Sequence, residues 1–335
     1  MADRGHELTE EMLNELEERA AEEYAQASRD MQRKFQAYLE KFQKEDAIQK
    51  GLLDDGKITQ EEYANWRFRH MMMGKRWEAM RDVLASDMEH ASEIALEIAK
   101  GEMADVYALN ANYAIYQIEH DAGVNMGLTL YNHDAAERLL KKEQDLMPGP
   151  STQKQKLIAQ NESMQWNRRK IQSAVLQGIM QGESPSKVAE RLRSVATMNY
   201  NASVRYARTM TTNAQNAGRY EAYRRAKSRG VDLTVEWQAT LDSHTRHEHR
   251  MMHGQRREVG EPFIINDGGN TYEILWPGDS NKATSDAPQR QIWNCRCTLR
   301  AWVKGFEGET VKKSPGMGEM TFEEWQQAKP KRVKK

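Results

Sequence analysis

The chain has 335 residues, with 49 Lys and Arg against 50 Asp and Glu, 39% hydrophobic and 30% charged residues, and only two cysteines. A net charge of −1 steers nothing at long range, and no run of roughly 18 apolar residues is present to cross a membrane. Two cysteines, both within Cys295-Arg296-Cys297, cannot build a disulfide framework, so reduced thiols are expected. At roughly 150 residues per domain, the length suggests two domains. Residues 1–13 are acidic and lack the apolar core of a secretory signal, which predicts a protein made in the cytoplasm.

The placement of charge says more than its sum. Residues 1–50 carry 13 acidic and 8 basic side chains, net −5; residues 161–230 carry 13 basic and 4 acidic, net +9. The last seven residues, 329–335, hold five cations and no anion. The chain reads as an acidic front, a basic middle and a basic tail.

From Leu8 to Lys50 there is no proline or glycine and good helix formers dominate, predicting one long helix. Its apolar stripe is narrow: Leu13, Leu16, Ala20, Tyr24, Met31, Phe35, Leu39 and Phe42. Such a stripe predicts docking on another long helix or on a partner chain. A turn at Asp54-Asp55-Gly56 precedes Thr59 and Glu62, the spacing of a capping box, and a second helix running through Trp66, Met73, Trp77 and Leu84. Helix continues to Leu146, and the run from Met147 to Ser151, with two prolines, ends it. Three regions result: an acidic helical region over 1–150, a mixed domain over 151–305, and a linker, short helix and basic tail over 306–335.

Within the second region, Ile171, Val175 and Ile179 mark one helix. Ser184-Pro185 starts a short one through Val195, and a third covers about 201–229. Val231, Leu233, Val235 and Trp237 then alternate as a strand does, turn residues accumulate, and 292–303 reads as a last strand. The fold class is therefore α+β and mainly α. The third helix interleaves Arg205, Arg208, Arg219, Arg224, Arg225, Lys227 and Arg229 with Tyr206, Tyr220 and Tyr223. That pattern suits either a solvated face or non-specific contact with phosphates. Asn213 and Asn216, poor helix formers, are expected to hydrogen-bond neighbouring loops. A short helix capped by Thr321 and Glu324 is expected near the end.

The densest chemical signal lies at 242–254, with His244, His247, His249 and His253 among the protein's nine histidines. Some forty residues on come Cys295 and Cys297. Zinc takes Cys sulfur and His nitrogen in tetrahedral sites, and His249 and His253 are spaced one helical turn apart. The alternative is a pair of core thiols beside a solvated histidine cluster. His247-Glu248 does not open a metalloprotease helix, because the second histidine position holds Met251. Neither a nucleophile elbow nor a phosphate-binding loop is present. Pro277-Gly278-Asp279 reads as a turn, and Asp242 as the cap of a following helix.

The ordered series Arg208-Thr209, Asn216, Tyr220, Gly230, Trp237, Asp242, Thr245-Arg246, His249, Gly254, Pro277-Gly278-Asp279 and Asn294-Cys295-Arg296-Cys297 resembles the phage head morphogenesis domain. This is the Mu F-like minor capsid protein family of tailed phages and prophages, and the series spans roughly 165–303. The resemblance implies a minor head protein, not an enzyme. It would be made in the host cytoplasm and then carried in the virion, acting with portal, scaffold or capsid proteins and, without sequence preference, DNA. No membrane and no small-molecule substrate are implied. Many relatives have cysteines where this chain has Arg246 and His249, and a histidine where it has Ile292. A structural zinc site carried over would therefore keep Cys295 and Cys297, use His249, and take His253 as its fourth ligand. The reading from another class is a zinc-dependent hydrolase or nuclease built on the same His and Cys cluster.

Overall fold

The computed structural model describes residues 3–123, 125–142, 153–305 and 320–329. The predicted break at 147–151, the linker over 306–319 and tail residues 330–335 lie outside the described residues. The architecture is α+β and mainly α. Long helices α1 (Arg4–Asp54), α2 (Gln60–Met72), α3 (Lys75–Ala122), α4 (His133–Lys142), α5 (Gln153–Met180) and α6 (Pro185–Ser228) precede the strands. Then follow β1 (Leu233–Gln238), α7 (His247–Met252), β2 (Arg256–Glu258), β3 (Phe263–Asp267), β4 (Asn270–Ile274), α8 (Gln289–Ile292), β5 (Thr298–Val303) and α9 (Phe322–Ala328). The Thr59–Glu62 and Thr321–Glu324 capping boxes are both formed, at the starts of α2 and α9.

Three local differences from the sequence reading have clear causes. The helix expected through Trp66 and Trp77 is split, because Gly74 sits in the left-handed region at φ +90°. The two helices expected at 184–195 and 201–229 are one, α6, since nothing between them breaks a helix. The last strand begins at Thr298 rather than Ile292, because Asn294 adopts φ +55° and turns the chain first.

The chain divides into two compact units that interleave in sequence, unlike the expected division near residue 150. The helical unit comprises 17–98 and 150–204; the sheet unit comprises 1–16, 99–149 and 205–335. Helices α1, α3 and α6 each give one segment to each unit. In the helical unit the α1 stripe is buried with residues of α3, α5 and α6: Met31, Phe35 and Leu39 share a core with Leu84, Met88, Ile171 and Leu192. The narrow stripe is thus covered by the chain's own helices rather than awaiting a partner chain. The side chain of Phe42 lies outside the described residues. A buried polar link accompanies this core: Asn167 donates to Glu89 at 2.6 Å and accepts from Asn199 at 2.8 Å.

The sheet unit holds a three-stranded antiparallel sheet in the order β2-β1-β5, with Val235 opposite Ala301 and Trp237 opposite Leu299. Strands β3 and β4 form a separate hairpin whose loop residues, Gly268 and Gly269, both have positive φ, as a tight two-residue turn requires. Leu233, Val235 and Trp237 point into a core shared with α3 and α6, through Ala111, Ile115, Ala222 and Tyr223. Both described chain ends are sewn into this core. Gly5 lies so close to Tyr113 that a Cβ there would come within 2.5 Å of the ring. Asp3 meets the fully buried Arg219 in two hydrogen bonds of 2.6 and 2.7 Å. At the other end, Phe322 and Trp325 pack on Tyr116, and Lys329 pairs with the buried Glu119 at 2.7 Å.

Candidate metal centre

Helix α7 is short, and its single buried polar side chain is His249. Its turn is held by Gly254, at φ +78°, whose N–H donates to the Trp237 carbonyl at 2.9 Å. On the opposite side, the turn before β5 brings in Cys295 and Cys297. The three side chains are at most 3% exposed, and their donor atoms lie within 4.8 Å of one another. His249 Nδ1 is 3.5 Å from each sulfur. With Zn–S near 2.3 Å and Zn–N near 2.0–2.1 Å, two ligands on a tetrahedral ion stand about 3.6 Å apart. The spacing therefore fits one ion held by two thiolates and Nδ1. The imidazole stands edge-on to Trp237 with centroids 5.4 Å apart, and its Nε2 is buried without a hydrogen-bond partner.

The two thiols do not titrate alike. A hydrogen bond from Cys297 stabilises the Cys295 thiolate and, with His249 alongside, holds that thiol well below its ordinary value. The same interaction and burial push Cys297 well above it. Of the pair, Cys295 is the first to ionise, and a cation between the sulfurs would favour the thiolate of both.

His253 is not brought to this cluster. It follows the last residue of α7 and caps it with φ −54° and ψ 128°, so the one-turn relation to His249 expected from a continuous helix is lost. Its side chain is exposed, and its Nδ1 accepts from the Ala239 N–H at 3.2 Å. Among the described residues, no other His, Cys, Asp or Glu joins the three. His244 and His247 are exposed as well.

Most of the remaining motif residues brace the thiol turn. Asp242 takes a bidentate grip on Arg296 at 2.5 and 2.6 Å. It also accepts from the His244 N–H at 2.9 Å and the Thr245 hydroxyl at 3.1 Å. These bonds, those from Arg296 foremost, hold its carboxyl far below the usual carboxylate range. Asp242 therefore closes its own loop; α7 has Arg246 at its N-cap and no side-chain cap. Arg246 donates to the Trp293 carbonyl. On α6, Thr209 accepts from the Asn294 N–H at 2.9 Å, and Thr212 donates to the Cys295 carbonyl at 2.5 Å. Asn216 donates to the Pro277 and Cys297 carbonyls, both at 3.0 Å, and accepts from the Leu299 N–H at 3.0 Å. Arg208 is half-buried one position before Thr209.

Pro277-Gly278-Asp279 is a buried turn seated on α6. Gly278 has φ +84°, and a Cβ there would come 3.1 Å from the Thr212 methyl, so both conformation and space call for glycine. Asp279 accepts from the Asn281 N–H at 3.0 Å. The bonds expected of Asn213 are also present, to Trp276 and Ser280. Sequence reasoning missed Thr212 and the role of Arg219. Thr209, Thr212, Asn213 and Asn216 recur at three- and four-residue steps along a buried, alanine-rich helix face, a pattern that marks a polar row holding loops.

The basic helix is less free for phosphates than its composition suggests. Arg219 is buried on Asp3, Lys227 donates to the Val259 carbonyl at 2.8 Å, and Arg225 to the Thr129 carbonyl at 3.1 Å. Tyr220 and Tyr223 are core residues.

Residues 169–300 match the family described as Phage Mu protein F like protein. The chain is 26% identical over 213 residues to the NAD(+)–arginine ADP-ribosyltransferase EFV of Enterococcus faecalis, covering 63% of this chain and 40% of that protein. It is 25% identical over 238 residues to the minor head protein GP7 of Bacillus phage SPP1, covering 71% of this chain and 70% of that one. The chain thus spans about two fifths of the first relative and over two thirds of the second. No solved structure gives a significant match. The segment 169–300, which carries the thiol turn, the α6 polar row and the buried Pro277-Gly278-Asp279 turn, is thus similar to the phage Mu protein F-like family.

Proposed function

We propose that the protein is a minor head protein that acts in head assembly of a tailed phage or prophage, made in the host cytoplasm and retained in the head. The observation that carries this reading is the similarity to the SPP1 minor head protein. Its 238 aligned residues are more than 169–300 contains, so the likeness extends into the helices outside the family segment. Partners in this role are portal, scaffold or capsid proteins, with weak sequence-independent binding to DNA. The test is deletion of the gene in the phage or prophage that encodes it. Particles purified from the complemented strain should contain the protein, and the deletion should lower the yield of filled heads. Particles that lack the protein, with an unchanged head yield, would refute the role.

Within that role, His249, Cys295 and Cys297 are assigned to one structural zinc ion. All three donors are buried and, among the described residues, no Asp or Glu joins them to act as a base, which speaks against the hydrolase or nuclease reading; the ion's fourth position has no protein ligand among those residues. When bound, the ion would clasp α7 to the turn before β5 and add its binding energy to folding. The first prediction is metal content: tag-free protein should contain close to one zinc per chain. Cys297→Ser should release it and lower the melting temperature, while helical circular dichroism is retained. Less than about a tenth of a zinc per chain, in protein whose melting is indifferent to chelator, would leave the cysteines as core thiols.

A further inference from the structure

Within the helical unit, α1 and α6 leave an open cleft of about 370 Å³ between them. Its α1 wall presents Ala21, Ala25 and Ser28, spaced four and three residues apart along one helix face, and α6 contributes Ala196. Small side chains on both walls allow a further helix to approach closely, since the distance between helix axes is set by the side chains at the crossing.

The hydroxyls of Tyr24, Ser28, Thr197 and Tyr200 in the lining of the cleft can donate or accept, whereas its charged groups only donate. Its charged lining residues are Arg29 on α1 and Arg193 on α6, one cation on each wall. Arg29 donates to the neutral amide oxygen of Gln26 at 2.7 Å. Arg193 stands 3.7 Å from Glu190 with both side chains about two-thirds exposed, an ion pair of little strength. Gln32, also in the lining, has an amide nitrogen shielded from solvent and without an acceptor. Two guanidinium groups and an unsatisfied amide beside a lining of Ala21, Ala25, Ala196 and the rings of Tyr24 and Tyr200 call for an apolar stripe flanked by carboxylates.

We propose that this cleft seats an acidic amphipathic helix from another protein. The helix lays its apolar stripe on Ala21, Ala25 and Ala196 and sets its carboxylates on Arg29, Arg193 and Gln32. The inference goes beyond the head-assembly role and stands or falls independently of it.

The test uses the full chain and a fluorescein-labelled synthetic helix of roughly 20 residues, long enough to be helical, with Ala and Leu along one stripe and Glu on both flanks. A companion peptide carries Lys in place of Glu. The Glu peptide should bind and the Lys peptide should not. The double variant Arg29→Glu/Arg193→Glu should weaken the Glu peptide at least about tenfold and gain binding of the Lys peptide, because the exchange inverts the complementarity. Ala25→Trp, made at an exposed position, should fill the cleft and weaken the Glu peptide to a similar degree, with the circular dichroism melt of each variant measured alongside. Failure of the Glu peptide to bind, equal affinity for the two peptides, or binding that neither variant changes would overturn the proposal. A dimer in sedimentation that Ala25→Trp dissolves would overturn it too, by assigning the cleft to a second copy of this chain.

Discussion

Asn216 sits fully buried in the middle of α6, and its amide faces the carbonyls of Thr212, Pro277 and Cys297 while accepting from Leu299. This one side chain bonds to the buried Pro277 turn, the thiol turn and the start of β5 together. Asn216→Ala is expected to cost about 2–4 kcal/mol, because buried partners left unsatisfied cost roughly 1–3 kcal/mol each. Asn216→Asp should be worse, since a carboxylate would face three carbonyl oxygens with nothing to donate. Urea unfolding of the two variants checks both the size and the order, and an Asp variant as stable as wild type would refute the account. Asp242 and Arg296 act on the outer side of the same turn. Because that ion pair is partly exposed, its contribution lies in orienting the loop more than in net stability.

At the scale of elements, the first turn of α1 is held by an ion pair rather than by apolar packing alone. Burial pushes the Asp3 carboxyl up, yet the charge and hydrogen bonds of Arg219 outweigh it and leave the group below its ordinary value. The sign of the pH dependence follows. A carboxyl depressed in the folded state contributes fully above its unfolded value, near pH 4, and loses that contribution as pH falls through the folded value. Asp3→Asn should therefore lower stability at neutral pH and flatten the loss between about pH 7 and pH 3. Removing one partner of a buried pair costs roughly 3–5 kcal/mol, and a value toward the low end is expected because Asp3 is partly exposed. Urea midpoints of wild type and variant across that range test it; parallel curves would show that the pair is not the acid-sensitive group. Helix α9 invites a similar test. Truncation before residue 320 removes Phe322 and Trp325 from Tyr116 and strands Glu119, whose partners include Trp325 and Lys329. A melting temperature unchanged by that truncation would show that the docking contributes nothing.

For the molecule as a whole, a total of −1 conceals a basic segment whose cations are partly consumed inside the fold. Arg219 and Lys227 serve internal partners, and Lys329, the first cation of the terminal cluster, is buried on Glu119. Non-specific DNA binding should accordingly be weak and fall steeply with salt. Deleting 330–335, which leaves Lys329 in place, should reduce the slope of log K against log salt by about 0.9 for each phosphate that the tail neutralises. Fluorescence anisotropy on duplex DNA measures it, and an unchanged slope would mean that the tail touches no phosphate.

Local rules settled much of this protein. The helix-rich composition, the α1 stripe, both capping boxes and the alternation of Leu233, Val235 and Trp237 are period and propensity effects, decided within a few residues, and they reappear as α1, α2, α9 and β1. The sequence likewise nominated Cys295, Cys297 and His249, because few residue types offer soft donors and these are closely spaced. Tertiary structure decided what spacing cannot. Whether His253 stacks on His249 depends on where α7 stops, and it stops one residue too early. Whether an arginine on a basic helix meets solvent or a buried aspartate depends on a chain segment more than 200 residues away, as Arg219 and Asp3 show. Which face covers the α1 stripe is also a long-range choice, because an apolar stripe specifies that it must be buried but not by what. That choice fell to the protein's own α3, α5 and α6.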